Sequence, residues 1–183
     1  SEMIAVWIIS FWEKLDCPKK FNLIELGAGN GEMMRVLVNT FNKFPRFKNS
    51  CKINILEKSE LLKKTQKNNI KDTKIKWLNN LSELNNCPCI FIANEFFDAL
   101  PIKQFLKKEK KWYEKYVNFI NNKKLEYLDV PFDMQKFEKK IKFKISHNQT
   151  FIEYSPLASK YLKTIINKIK LNNGGMLIID YGY

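Results

Sequence analysis

The chain has 183 residues, 45% hydrophobic and 14% aromatic, and a formal net charge of +13. That is enough apolar material for one domain with a real core, which excludes a disordered chain, and no apolar run reaches the ~18 residues of a membrane span. Of its 32 basic residues only Arg35 and Arg46 are arginines, and the lysines are spread and often flanked by Glu, so the charge reads as a Lys/Asn/Ile-rich composition rather than a selected phosphate-binding face.

Met3, Ile4, Trp7, Ile8, Phe11 and Leu15 fall at helical spacing and predict an amphipathic helix over residues 2–15. The absence of an initiator methionine makes the chain read as a piece of a longer protein. Phe21–Leu26 is the first strand, and Gly27, Gly29 and Gly31 follow at alternate positions. Helical spacing resumes from Glu32 to Phe44 and stops at Pro45. A strand that turns on glycines into a helix brings backbone N–H groups and a positive helix end to the strand's carboxyl edge. The spacing is G-x-G-x-G, not the G-x-G-x-x-G of dinucleotide sites, and Glu25 just before it suits a cationic ligand better than a pyrophosphate.

Lys52–Glu57 reads as a second buried strand ending in an acid, where a carboxylate can accept the hydroxyls of a ribose. Ser59 caps a helix through Lys67 with Leu61 and Leu62 inward. Lys74–Leu78 is a short third strand, and Asn79–Ser82 would lie near an adenine. Cys89–Ala93 is the fourth strand. It runs into Asn94-Glu95-Phe96-Phe97-Asp98, which sets three polar groups among aromatics at the edge of a central strand; buried carboxylates need a partner. Residues 104–148 change texture. Short alternating strands at Phe105-Leu106, Trp112–Val117 and Leu125–Leu128, with polar turns at Lys107–Lys111 and Asn121–Lys124, predict an antiparallel insertion followed by an amphipathic segment, Phe132–Ile145. This insertion would serve as a lid or partner-facing subdomain. Thr150–Tyr154 is another strand. Ser155-Pro156 opens a helix with Leu157, Tyr161, Leu162, Ile165, Ile166 and Ile169 inward, Gly174-Gly175 ends it, and Met176–Tyr181 is the last strand. The alternation predicts an α/β fold, a mostly parallel twisted sheet with helices on both faces, all within one domain. Cys17, Cys51, Cys87 and Cys89 form no C-x-x-C pair and His147 is the sole histidine, so no metal site is expected. Reduced thiols suit a cytosol-like compartment.

Glu25 with Gly27, Ala28, Gly29 and Gly31 resembles motif I of the class I S-adenosylmethionine-dependent methyltransferases. Glu2–Trp7, Glu25–Gly31, Asn94–Pro101, Glu153–Pro156 and Gly174-Gly175 through Ile179-Asp180-Tyr181-Gly182 together resemble the MidA-like branch of that class. That branch includes the mitochondrial complex I assembly-factor arginine methyltransferase. The resemblance implies a Rossmann-like methyltransferase fold whose members are longer, with further carboxyl-terminal strands. It implies S-adenosyl-L-methionine as cofactor and a protein arginine as acceptor, on a subunit of respiratory complex I, in a bacterial cytoplasm or a mitochondrial matrix. Gly27, Ala28, Gly29 and Gly31 would hold the methionine portion, with Glu25 near its ammonium and Glu57 on the ribose. Asn94 would add a polar contact to cofactor and acceptor, Glu95 and Asp98 would work on the guanidinium, and Phe96, Phe97 and Tyr181 would be walls. The alternatives are a methyltransferase acting on RNA or a small molecule, and a non-catalytic assembly protein that keeps the fold.

Overall fold

A computed structural model describes residues 1–72, 74–120 and 124–181. Glu2–Lys14 forms α1, and the face it buries most deeply is Ala5, Ile8, Ile9 and Trp12, which shares only Ile8 with the predicted stripe. Met3 stays exposed while Ile4, Trp7, Phe11 and Leu15 pack partly against the core; nearly all of this helix is apolar, so spacing alone does not choose its inner face. Trp12 anchors the exit by donating its Nε1–H to the Pro18 carbonyl at 3.1 Å.

The strands β1 (Phe21–Leu26), β2 (Cys51–Leu56), β3 (Lys76–Leu78) and β4 (Cys89–Asn94) follow, separated by α2 (Glu32–Phe41), α3 (Pro45–Ser50) and α4 (Glu60–Asn69). The first crossover helix stops at Phe41, short of the expected Phe44, and Pro45 instead opens α3, at whose start its missing N–H is harmless. Phe47 of α3 is buried against Trp12, Phe21 and Phe41. After β4 come the antiparallel strands β5 (Lys103–Lys108), β6 (Lys111–Ile120) and β7 (Lys124–Pro131), then α5 (Met134–Ile141), β8 (Phe151–Tyr154), α6 (Pro156–Asn172) and β9 (Gly174–Ile179).

Gly174 and Gly175 were expected to terminate the last helix; instead they begin β9. Gly174 has φ +142, and a methyl group built on it would lie 1.9 Å from the Cys89 carbonyl oxygen. Close strand pairing, not helix termination, therefore requires that glycine. The predicted turn at Asn121–Lys124 falls largely on residues 121–123, which lie outside the described residues, as do Gly182 and Tyr183.

The chain divides into two compact units, Ser1–Ala99 with Lys160–Tyr183, and Leu100–Ser159. In the first, β3-β2-β1-β4-β9 form one sheet with every neighbouring pair parallel. One face packs Leu23, Ile55, Ile90 and Ile92 under α1, α2 and α3. The other packs Ile24, Leu26, Phe91 and Ala93 under Tyr161, Ile165 and Ile169 of α6, although Ile166, expected inward, is exposed. No helix among the described residues is long and apolar enough to cross a membrane.

The second unit holds the antiparallel sheet β7-β6-β5-β8 and α5. Its core is Phe105 with Met134 and Phe137, edged by Phe132 and Tyr154. Phe105 is fully buried and its ring lies 4.3 Å from that of Phe132. Phe105→Ala is expected to cost about 3–5 kcal/mol, read as accelerated hydrogen exchange confined to residues 100–159.

Candidate active site

From β1 the chain winds through α2 towards β2, and from β4 it returns on the other side as β9, so the direction of winding reverses between β1 and β4. Ligands of open parallel sheets bind at the carboxyl ends of the strands at such a reversal. Every strand tip there is held in register. Gly27 donates its N–H to the Leu56 carbonyl at 3.0 Å, Glu57 to Leu78 at 3.2 Å and Glu95 to Ile179 at 2.9 Å.

The glycine bend rises from this edge with φ of +64, +54 and +84 at Gly27, Gly29 and Gly31. Gly31 donates its N–H to the Ala28 carbonyl at 2.7 Å, closing the turn into α2, and Ala28 is buried. A methyl group on Gly27 would meet the Phe96 ring at 2.9 Å, whereas one on Gly29 would meet nothing within 4 Å. The bend is thus packed by protein at Gly27 and open at Gly29, where a ligand can approach the backbone.

Glu25, the next-to-last residue of β1, is 2% exposed, on the same strand face as Leu23. Its Oε2 is buried without a hydrogen-bond partner among the described residues, and burial raises its pKa to about 8. A carboxyl group placed so, one residue from the bend, is poised for a cation. Glu57, immediately after β2, is 8% exposed. Its Oε1 accepts the Lys58 and Ser59 backbone N–H groups, both at 2.9 Å, and its Oε2 accepts Gln66 Nε2–H at 3.1 Å. A carboxylate offers about four acceptor positions, so these three donors leave about one on Oε2.

Asn94 ends β4, in register with Ile179. Glu95 follows with φ +48, a strained value for a residue bearing a side chain, and its Oε1 is buried without a partner among the described residues. Glu95, Asp98 and Asp180 each bring a carboxylate oxygen to within 4.8 Å of the others. The sequence points to Glu95 and Asp98 here but gives Asp180 no role; its position just past the apolar run Met176–Ile179 is the available signal, although β9 itself is only partly buried. Such an oxygen-only set suits a hard or guanidinium cation, not the thiolate and imidazole ligation of zinc. Phe96 packs edge-on against Phe97 and Tyr161, both at 5.3 Å, while Tyr181, expected as a wall, is 71% exposed.

The face that α4 buries also differs from expectation. Ser59 caps it, accepting the Leu62 N–H at 3.3 Å, but Leu61 is 74% exposed and the buried residues are Lys63 and Gln66. Lys63 Nζ donates to Glu60 and to Asn79 Oδ1, both at 2.7 Å. Asn80 caps the 3-10 turn Leu81–Glu83. The helix therefore turns its polar side towards the strand tips.

A parallel sheet of this order, an open glycine bend after β1 and a carboxylate at the tip of β2 define the Rossmann-like methyltransferase class of fold. The residues present fit S-adenosyl-L-methionine: a buried Glu25 whose Oε2 has no partner among the described residues, for an ammonium, a side-chain-free approach at Gly29 and remaining acceptor capacity on Glu57. The chain belongs to the family described as "Putative S-adenosyl-L-methionine-dependent methyltransferase", whose profile matches residues 3–183. Among curated relatives, the Xenopus laevis mitochondrial protein arginine methyltransferase NDUFAF7 is 28% identical over 220 residues, covering all of this chain and 47% of that protein. Its human counterpart is 24% identical over 212 residues, covering 100% and 46%. This chain spans about half the length of the curated relatives it matches. A methyltransferase-like protein from Burkholderia thailandensis, solved bound to S-adenosyl-homocysteine, superposes with a TM-score of 0.73 at 18% identity, over 100% of this chain and 48% of the other, and so shares the fold.

Proposed function

We propose that this chain carries out S-adenosyl-L-methionine-dependent methylation of a protein arginine, and that Glu95, Asp98 and Asp180 receive the guanidinium. The observation that supports this reading is the convergence of those three carboxylates, with Glu95 next in sequence to Phe96, whose ring packs on Gly27. A guanidinium stays protonated, with a pKa above about 12, and its planar fork matches carboxylates. Carboxylates on two of its nitrogens localise the positive charge there and leave the lone pair of the third available. The cofactor, when bound, supplies a methyl group on a sulfonium that leaves as a neutral thioether.

In this reading the chain's residues position and neutralise. Gly27, Ala28, Gly29 and Gly31 hold the methionine portion, Glu25 takes its ammonium and Glu57 binds the ribose. Asn94 contributes a polar contact between cofactor and acceptor. On accepting the methyl group the arginine would give up one proton, which Glu95 or Asp98 would take and pass to water. The relatives' names support an arginine and a mitochondrial setting. The family resemblance makes a complex I subunit the first acceptor to test.

Glu95→Gln keeps the shape and removes the charge. S-adenosylhomocysteine affinity is expected to stay within about threefold by calorimetry, while methylarginine formation, followed by mass spectrometry on the acceptor, falls about 100-fold or more. Undiminished turnover in the variant would refute the carboxylate role. Methylation of RNA instead of protein would overturn the choice of acceptor.

A further inference from the structure

The residue that ties the proposed cofactor site together is a glutamine on α4. Gln66 is 0% exposed. Its Nε2 donates to the Gly29 carbonyl at 2.9 Å and to Glu57 Oε2 at 3.1 Å, and its Oε1 accepts Trp77 Nε1–H at 2.8 Å. Both amide hydrogens face acceptors and the amide oxygen faces an obligate donor, so the carboxamide has one permitted orientation. The three partners stand on three segments: the glycine bend, the tip of β2 and β3. Asn69, one turn further along α4, donates to the Asn30 carbonyl at 2.9 Å. A methyl group on Gly31 would come within 3.3 Å of Gln66 Cγ. The helix is thus fastened to the bend at two successive carbonyls and by direct packing.

We infer that Gln66 is a positioning residue for S-adenosyl ligands: it locks the glycine bend and the Glu57 carboxylate into one frame and leaves a single Glu57 acceptor site for one ribose hydroxyl. This rests on the cofactor reading above. Lys58 and Ser59 saturate Oε1, and Gln66 takes one position on Oε2. A ribose meeting this carboxylate finds one acceptor already aimed rather than two equivalent ones. Glu57 therefore discriminates between the two hydroxyls, and Gln66 sets that discrimination. A buried amide left with unpaired groups would be costly, which ties its orientation to the integrity of all three partners.

The test uses calorimetry with S-adenosylhomocysteine and its 2′-deoxy and 3′-deoxy analogues on the wild type and Gln66→Met. The wild type is expected to lose about tenfold in affinity, one hydrogen bond's worth, for one deoxy analogue and little for the other. Gln66→Met is expected to bind S-adenosylhomocysteine at least about tenfold more weakly and to lose the difference between the analogues. A merely structural glutamine would lower affinity for all three ligands equally, and that result overturns the inference. Wild-type binding without discrimination does so too. Failure of the wild type to bind S-adenosylhomocysteine at all overturns the cofactor reading and this role with it. Should Gln66→Met fail to fold, the wild-type amide resonances decide. The Gln66 side-chain NH2 is expected to shift on adding S-adenosylhomocysteine, and to shift less with the disfavoured deoxy analogue. No shift rejects the role.

Discussion

Gly29→Val is expected to abolish binding of S-adenosylhomocysteine, a loss of at least about 100-fold or 2.7 kcal/mol, while lowering the melting temperature by only a few degrees. The two effects separate because of where that glycine faces. At φ +54 a side chain costs on the order of 1–2 kcal/mol of backbone strain, which in a chain of this size shifts melting by roughly 2–8 °C. Among the described residues no atom other than those of Gly29 and its chain neighbours stands within 4 Å of the added carbon, so the fold otherwise accommodates it. The space that valine fills is the approach to the bend, and a ligand that must touch that backbone is shut out. Calorimetry and a thermal melt on the same sample check both halves. Binding that survives would remove the bend from the site.

Glu25→Gln is expected to push stability and affinity in opposite directions. Burial raises the Glu25 pKa from 4.5 to about 8. Between those values the unfolded chain has released its proton and the folded chain retains it, so stability falls as pH rises from about 4.5 to about 8, by on the order of a few kcal/mol. Glutamine is neutral throughout. The variant should therefore melt higher than the wild type at pH 8, match it near pH 4, and lose this part of the pH dependence. If Glu25 pairs with the cofactor's ammonium, the variant should also bind S-adenosylhomocysteine at least about tenfold more weakly. In the wild type, binding at pH 7 should release close to one proton, since the pair stabilises the ionised carboxylate. Calorimetry in two buffers of different ionisation enthalpy reads that proton directly. Zero release would mean that the ammonium is held elsewhere.

The parts of this site carried by glycine spacing and by acids at strand tips were legible in the sequence. Glu25, Glu57, Asn94 and Glu95 each end, or directly follow, an apolar run of strand length, and such runs mark four of the five parallel strands; the strand at residues 150–154, which the alternation would put in the same sheet, pairs antiparallel with β5 instead. What escaped were polar residues whose burial depends on a distant partner. Gln66 sits in the lysine- and asparagine-rich second half of α4, which looks solvated in sequence, and the indole of Trp77, the carbonyl of Gly29 and the Glu57 carboxylate make it an interior residue. An apolar Leu61 suggests an inward face, yet the strand tips beneath α4 present polar groups, and hydrogen-bonding side chains, Lys63 and Gln66, are buried there instead. Asp180 comes beside Glu95 only through the register of β9 on β4, which residue order alone does not give. Gly174 misled because a helix stop and a tight strand approach call for the same residue.

The pairing of Cys89 with Gly174 sets a schedule for biosynthesis. β1, β2 and β4 emerge from the ribosome early, but the outer edge of β4 has no mate until roughly 85 more residues have been made, about 4–17 s at ordinary elongation rates. Through that interval an apolar strand shows open backbone groups, the template on which chains stick to one another. Slow translation or loss of β9 should therefore appear first as aggregation of nascent chains rather than as a weak enzyme.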